Sequence, residues 1–134
     1  IRIAAGQPIN YSQFDIVQKG HSIEARIYAE DPKTFFPSPG KITKLTVPSG
    51  NNVRNEIGVK TGYTVTPYYD AMIAKLITYG NNRDEAILNL QNALKQYECE
   101  GIKTNIPFLK DVVQHPQFVN GKTTTNFIDQ YIKK

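Results

Sequence analysis

Glu24 and Arg26 are the pair of side chains whose types and spacing could do chemistry, because they stand two residues apart in a segment of alternating polarity. In an extended chain, such residues project from the same face. The pair has two interpretations. It is either a solvated ion pair on an open sheet face, which contributes about 0–1 kcal/mol, or an arginine that a carboxylate holds in place so that its guanidinium stabilises an oxygen anion in a substrate.

Motifs for other kinds of chemistry are absent from the sequence. Gly121-Lys122-Thr123 matches the last three positions of a phosphate-binding loop motif, but Pro116 occupies the position of the earlier glycine that the motif requires. His21 and His115 are far apart and fit no metal-ligand spacing, and Cys99 is the single cysteine, without a partner for a disulfide or a zinc pair. There is no Gly-x-Ser-x-Gly elbow. We therefore predict no metal site and no autonomous enzyme.

The composition indicates one domain, because 134 residues with 40% apolar content suffice for a single core. The net charge of +4 comes from scattered lysines and arginines, so we expect no nucleic-acid partner. No apolar run reaches the length of about 18 residues that a membrane span requires. We expect no membrane association and, with the lone cysteine, a cytoplasmic location.

The first 20 residues are interpreted as a connector. The chain does not begin with Met, and Arg2 to Ala5 has the pattern of a helix tail that Gly6 and Pro8 stop. We expect residues 1–20 to join an upstream domain to the domain formed by residues 21–134. The chain would then be an excised fragment.

Glu24 and Arg26 must be positioned by a strand that spans His21 to Tyr28. Its apolar face carries Ile23, Ala25 and Ile27. Turn formers at Asp31-Pro32 and Pro37 to Gly40 end this strand and precede the next. Further strands are predicted at Lys41 to Val47, Val53 to Val59 and Ala71 to Tyr79. Short strands separated by turns indicate a mainly antiparallel sheet from His21 to Tyr79.

The second half of the chain changes to helical periodicity. Asn82 and Glu85 form a capping pair before apolar residues spaced three and four apart, which continue until Gly101. A second helix is predicted from about Asn105 to just before Pro116. A third is predicted from Thr125 to Lys133. Strands followed by about three helices predict an α+β fold in which the helices pack against the sheet.

Several long segments carry a resemblance to a known family. Gly20 to Pro32 reads GHSIEARIYAEDP, and Phe36 to Ile42 reads FPSPGKI. These segments, followed in order by Pro67 to Ile77, Gly101 to Asn105 and Thr125 to Ile128, resemble the C-terminal domain of biotin carboxylases. The resemblance covers nearly the whole chain.

The resemblance implies an activity for the complete enzyme, which joins bicarbonate to biotin with ATP and Mg²⁺, the biotin being held on a carrier protein. The ureido nitrogen of biotin must lose its proton before it attacks carbon dioxide. Negative charge then develops on the ureido oxygen, and a fixed guanidinium beside it lowers the barrier. The resemblance assigns this catalytic and biotin-binding role to Arg26, with Glu24 as the neighbouring carboxylate that holds it.

The resemblance also implies two further contacts. Phe127 matches a position whose apolar side chain touches the adenine of ATP, although a phenylalanine in a third helix is otherwise simply core. Asn51 and Arg54 match positions at which bacterial members make a homodimer contact. The bacterial pattern has an aromatic residue at the first of these positions, and Asn51 departs from it.

The implied partners follow from what the resemblance leaves outside this chain. The glycine-rich lid over ATP, the magnesium-binding glutamates, the catalytic base and the bicarbonate-binding arginine belong to upstream parts of the family's sequence. We therefore expect this fragment of a ligase to be inactive alone and to complete a site formed with its own N-terminal and ATP-grasp domains. Further implied partners are a biotin carboxyl carrier protein, a carboxyltransferase and a second copy in a homodimer.

Three functional alternatives remain at the level of sequence. The first is the biotin carboxylase subunit of a bacterial acetyl-CoA carboxylase, which serves fatty-acid synthesis. The second is the same domain of pyruvate carboxylase or another acyl-CoA carboxylase. The third is a non-catalytic dimerisation or carrier-docking module, which would tolerate Arg26→Ala.

Overall fold

The computed structural model describes residues 1–132 of the chain. Residues 1–20 are exposed throughout and contain one short 3₁₀ helix, Gln13–Asp15. Where a helix tail was predicted, there is a single turn, in which the N–H of Ala5 donates to the carbonyl of Ile1 at 3.0 Å. Gly6 follows with φ +79°, a conformation that ends helical turns and favours glycine.

Among the described residues, seven strands form three antiparallel sheets. In chain order they are β1 (His21–Tyr28), β2 (Gly40–Lys41), β3 (Lys44–Thr46), β4 (Val53–Ile57), β5 (Thr64–Val65), β6 (Met72–Gly80) and β7 (Glu98–Glu100). The main sheet has the order β1-β6-β4, while β2 pairs with β5 and β3 pairs with β7. The predicted antiparallel arrangement is confirmed.

The short strands differ from the sequence prediction. The single strand predicted from Lys41 to Val47 is wrong, because the chain changes sheets between β2 and β3. Ile42 N–H donates to the carbonyl of Tyr63, whereas Thr43 N–H donates to the carbonyl of Glu100. Strands β5 and β7 were not predicted, since pairings of two or three residues leave no periodicity that a sequence pattern could show.

Four helices occupy the second half of the described chain, and the α+β class is confirmed. They are α1 (Arg83–Gln96), α2 (Ile106–Gln114), α3 (Pro116–Val119) and α4 (Phe127–Tyr131). Helix α1 ends before β7 instead of continuing to Gly101, and the predicted stop at Pro116 separates α2 from the short α3. The third predicted helix corresponds to α4, and its predicted end at Lys133 lies outside the described residues.

The core lies between the main sheet and helices α1 and α2. Its most completely buried large side chains are Ile27, Ile42, Leu76, Leu90, Leu94 and Thr78. The hydroxyl of Thr78 donates to the carbonyl of Ala86 at 3.0 Å and so joins β6 to α1. Because α1 covers one face of the main sheet, the polar residues of β1 lie on the opposite face.

The N-terminus of α1 provides a test of the capping prediction. The Asn82 side chain accepts a hydrogen bond from the Glu85 N–H at 2.9 Å. We expect Asn82→Ala to lower the free energy of unfolding by about 1 kcal/mol, because this N–H loses its acceptor. Urea unfolding of the chain measures the change.

A matched control is Asn126→Ala, since Asn126 precedes α4 but its side chain makes no capping hydrogen bond. We expect a smaller loss of stability in the control than in Asn82→Ala. Equal losses in the two variants would contradict the assigned role of the Asn82 cap.

Candidate functional site

Strand β1 separates its side chains onto two faces, as its alternation predicts. Ala25 is 4% exposed and Ile27 is fully buried, whereas Glu24 and Arg26 are exposed on the other face. The antiparallel register with β6 holds this orientation, because a slip of one residue would move every side chain to the opposite face. The structure therefore places both predicted site residues together on the open face of the main sheet.

The Arg26 guanidinium is held by the Glu24 carboxylate. Arg26 Nε donates to Glu24 Oε1 at 2.9 Å. This contact, with Lys75 contributing at longer range, holds the pKa of Glu24 below its usual value. Hydrogen bonding to Glu24 and then to Tyr28 raises the pKa of Arg26. The guanidinium has five N–H donors, so a contact through Nε leaves donors for a substrate oxygen.

The register of the sheet adds charged neighbours that sequence reasoning missed. Lys75 lies directly opposite Arg26 on β6, and Glu56 lies opposite Lys75 on β4. Directly paired residues of antiparallel strands share a face, with Cβ atoms about 5 Å apart. Lys75 thus adds positive charge beside Arg26. The alternation of β1 could have indicated Tyr28, but the pairing that brings Lys75 here cannot be read from the sequence.

Arg54, one of the two predicted dimer-contact residues, lies on the same open face. It is on the edge strand β4, in the same row as Glu24, with Ile77 of β6 between them, and this places it about 10 Å from Glu24. Its Nε donates to Glu56 Oε1 at 2.6 Å, and its side chain is 74% exposed. Asn51 is exposed in the turn before β4.

Phe127 lies apart from this face, on α4. It is 5% exposed and packs against the rings of His115 and Tyr131, at centroid separations of 5.4 and 5.6 Å. The structure therefore leaves little of the ring accessible to a ligand.

The cationic donors on the open face suit an anionic oxygen and not a metal ion. Within residues 1–132, no three side chains of His, Cys, Asp or Glu cluster as a metal site would require. The same part of the chain contains no helix that is both long and apolar enough to cross a bilayer. An arginine oriented by a neighbouring carboxylate suits the recognition of an oxygen anion.

Comparisons with known proteins identify the family of this chain. A family model described as the biotin carboxylase C-terminal domain matches residues 24–130. The chain is 56% identical to the biotin carboxylase of Halalkalibacterium halodurans and 45% identical to a pyruvate carboxylase subunit of Methanothermobacter thermautotrophicus, in each case over 98% of its length. It spans 29% and 27% of those two proteins.

A solved structure shows the same fold. It is a dimer of the biotin carboxylase domain of the 2-oxoglutarate carboxylase from Hydrogenobacter thermophilus, in complex with MgADP, ADP and bicarbonate. The TM-score is 0.94 at 45% identity, and the match covers 97% of this chain and 29% of the other. The fold and the family match together define a domain of the kind found in biotin carboxylases. The chain belongs to the biotin carboxylase C-terminal domain family.

Proposed function

We propose that Arg26 stabilises the deprotonated ureido group of biotin in an ATP-dependent biotin carboxylase of which this chain is one domain. The observation that carries the proposal is the 2.9 Å contact between Arg26 Nε and Glu24 Oε1 on the open face of a sheet whose other face is packed. Isolated ion pairs of this exposure contribute little to stability. An oriented guanidinium on a rigid strand suits recognition of an oxygen anion.

The chemistry of biotin explains why such a group is needed. When the ureido nitrogen loses its proton, the electron pair delocalises onto the ureido oxygen, and the nitrogen then attacks carbon dioxide. Arg26 donates hydrogen bonds to that oxygen as its negative charge develops, while Glu24 keeps the guanidinium in one orientation. The positive charge of Lys75 beside Arg26 acts in the same direction.

The remaining parts of the reaction are assigned to other domains of the parent protein. ATP, Mg²⁺ and bicarbonate bind mainly to upstream domains, to which residues 1–20 connect residues 21–134, and the side chain of Phe127 contacts the adenine. Biotin arrives on a carrier protein and leaves toward a carboxyltransferase. The related structure in complex with MgADP and bicarbonate supports the assignment of these ligands to the parent protein. The chain spans only 29% of a relative, which supports the assignment of the other reaction parts to other domains.

We further propose that the parent is a cytoplasmic biotin carboxylase subunit of acetyl-CoA carboxylase, serving fatty-acid synthesis. The 56% identity with a protein named biotin carboxylase supports this choice over pyruvate carboxylase and 2-oxoglutarate carboxylase, whose named relatives are 45 to 46% identical.

The first test replaces Arg26 in the parent enzyme. We expect Arg26→Ala to lower biotin-dependent ATP hydrolysis roughly 100- to 1000-fold, because a donor to the ureido oxygen is lost. Arg26→Lys should also impair turnover, since an ammonium keeps the charge but not the planar fork. Thermal unfolding of each variant should change little.

The control for this test is Lys44→Ala. Lys44 Nζ lies 2.7 Å from Glu98 Oε2 in a similarly exposed ion pair on another sheet, so its loss should leave turnover near the wild-type rate. Near wild-type turnover in Arg26→Ala would return the Glu24–Arg26 pair to a solvated ion pair and favour the non-catalytic module.

A second test concerns the homodimer. We propose that Asn51 and Arg54 lie at or beside a two-fold contact, because the turn and edge strand that carry them are exposed and a related domain forms a dimer. Arg54→Glu reverses the charge beside Glu56 and should reduce the dimer mass of the parent enzyme in light scattering. An unchanged dimer mass would argue against a major role for Arg54.

The isolated 134-residue chain provides a third test. We expect it to show no bicarbonate-dependent ATP hydrolysis, because its described residues present neither a phosphate-binding loop nor a cluster of metal-binding carboxylates. Biotin-dependent turnover above a control without the protein would overturn this expectation.

A further inference from the structure

Asn105 contacts the outer edge of β1 at the residue that carries the guanidinium. Its side-chain Nδ2 donates to the carbonyl of Arg26 at 3.1 Å, and its Oδ1 accepts from the N–H of Tyr28 at 2.9 Å. Its own N–H donates to the carbonyl of Tyr28 at 3.2 Å. One residue, 6% exposed, therefore makes three hydrogen bonds to two successive edge positions of β1.

The position of Asn105 in the chain makes this arrangement unexpected. It is the residue that precedes α2, where an asparagine side chain ordinarily accepts a hydrogen bond from the first turn of the helix. Here the side chain makes no capping hydrogen bond. The side-chain amide bonds to β1 instead, so the first turn of α2 lacks the capping hydrogen bond that usually stabilises a helix.

Strand β1 is irregular at the point that Asn105 contacts. The register with β6 shifts between Ile27 and Tyr28, because Ile27 pairs with Ala74 while Tyr28 pairs with Met72. A register shift of this kind locally disrupts the ladder between the strands. Arg26 precedes this shift, and Tyr28, which also interacts with the guanidinium, follows it. The amide of Asn105 bridges the two residues from the opposite edge.

We propose that Asn105 is a positioning residue for biotin carboxylation, which fixes the backbone of Arg26 and Tyr28 so that the guanidinium is aimed at the ureido oxygen. This inference rests on the proposed role of Arg26. Asn105 touches neither substrate nor reacting atoms and acts entirely through β1. Removing its amide should therefore lower turnover in the same way as a misdirected Arg26, and should have no effect where Arg26 is absent.

The test uses Asn105→Ser in the parent enzyme. A serine can still cap α2, so the variant should fold, but its side chain is too short to reach both Arg26 and Tyr28. We expect kcat for biotin-dependent ATP hydrolysis to fall on the order of 10- to 100-fold, as small misplacements of catalytic groups do, while KM for ATP is unchanged. Wild-type kcat in Asn105→Ser would overturn the proposal.

A double variant separates positioning from a general loss of structure. If Asn105 acts through Arg26, Arg26→Ala with Asn105→Ser should turn over within about twofold of Arg26→Ala alone, because effects through one group do not multiply. Multiplying losses would overturn the positioning role. Wild-type turnover in Arg26→Ala alone would contradict the proposed role of Arg26. That outcome is distinct from one in which Arg26→Ala impairs turnover and only the positioning role of Asn105 is contradicted.

A readout independent of activity is hydrogen–deuterium exchange in the peptide that covers residues 24–30 of the parent enzyme. We expect faster exchange in Asn105→Ser, because the Tyr28 N–H loses its acceptor. The matched control is Asn89→Ser, which removes a 2.8 Å bond from a part-buried asparagine amide to the carbonyl of Tyr79. The control should keep wild-type kcat and wild-type exchange in this peptide, and unchanged exchange in Asn105→Ser would overturn the proposed positioning role of Asn105.

Discussion

The antiparallel ladder between β1 and β6 is the interaction on which the rest of the structure depends. It aligns residues 21–28 with residues 80–72, and its alternation sends one set of side chains into the core and the other into solvent. A register slip of one residue would bury Arg26 and expose Ile27. The core packing of Ile27 therefore specifies the orientation of Arg26, although the two side chains lie on opposite faces.

The open face carries many charged side chains that contribute little to the free energy of folding. Arg26, Lys75 and Glu56 form one row across the three strands, and Glu24 and Arg54 flank Ile77 in the next. Each cation thus has a carboxylate within or beside its row, which limits repulsion between like charges. Exposed pairs of this kind contribute at most about 1 kcal/mol each. Folding is maintained by the packed face, so the open face can be devoted to binding.

Strong local patterns predicted part of this fold, and long-range pairings account for the rest. The alternation of β1 and the cap at Asn82 were correct because each depends on neighbours within a few residues. Strand β7 was missed because its three residues are too few to show an alternation, and only its pairing with β3, more than 50 residues earlier in the chain, makes it a strand. Asn105 shows the same limit. Its position in the sequence indicates a helix cap, whereas its side-chain amide bonds to Tyr28 and Arg26, which precede it by 77 and 79 residues.

The location of Arg26 near a bulge shows how one strand can be both irregular and well ordered. The regular ladder directs Arg26 by the pleat up to Ile27, but the register shift after Ile27 disrupts the ladder locally at Tyr28. Directional hydrogen bonding of a guanidinium to a substrate oxygen requires that its backbone be held to a fraction of an ångström. Hydrogen bonds from the second edge restore the restraint where the first edge loses it, which links the start of α2 to the open face of the sheet.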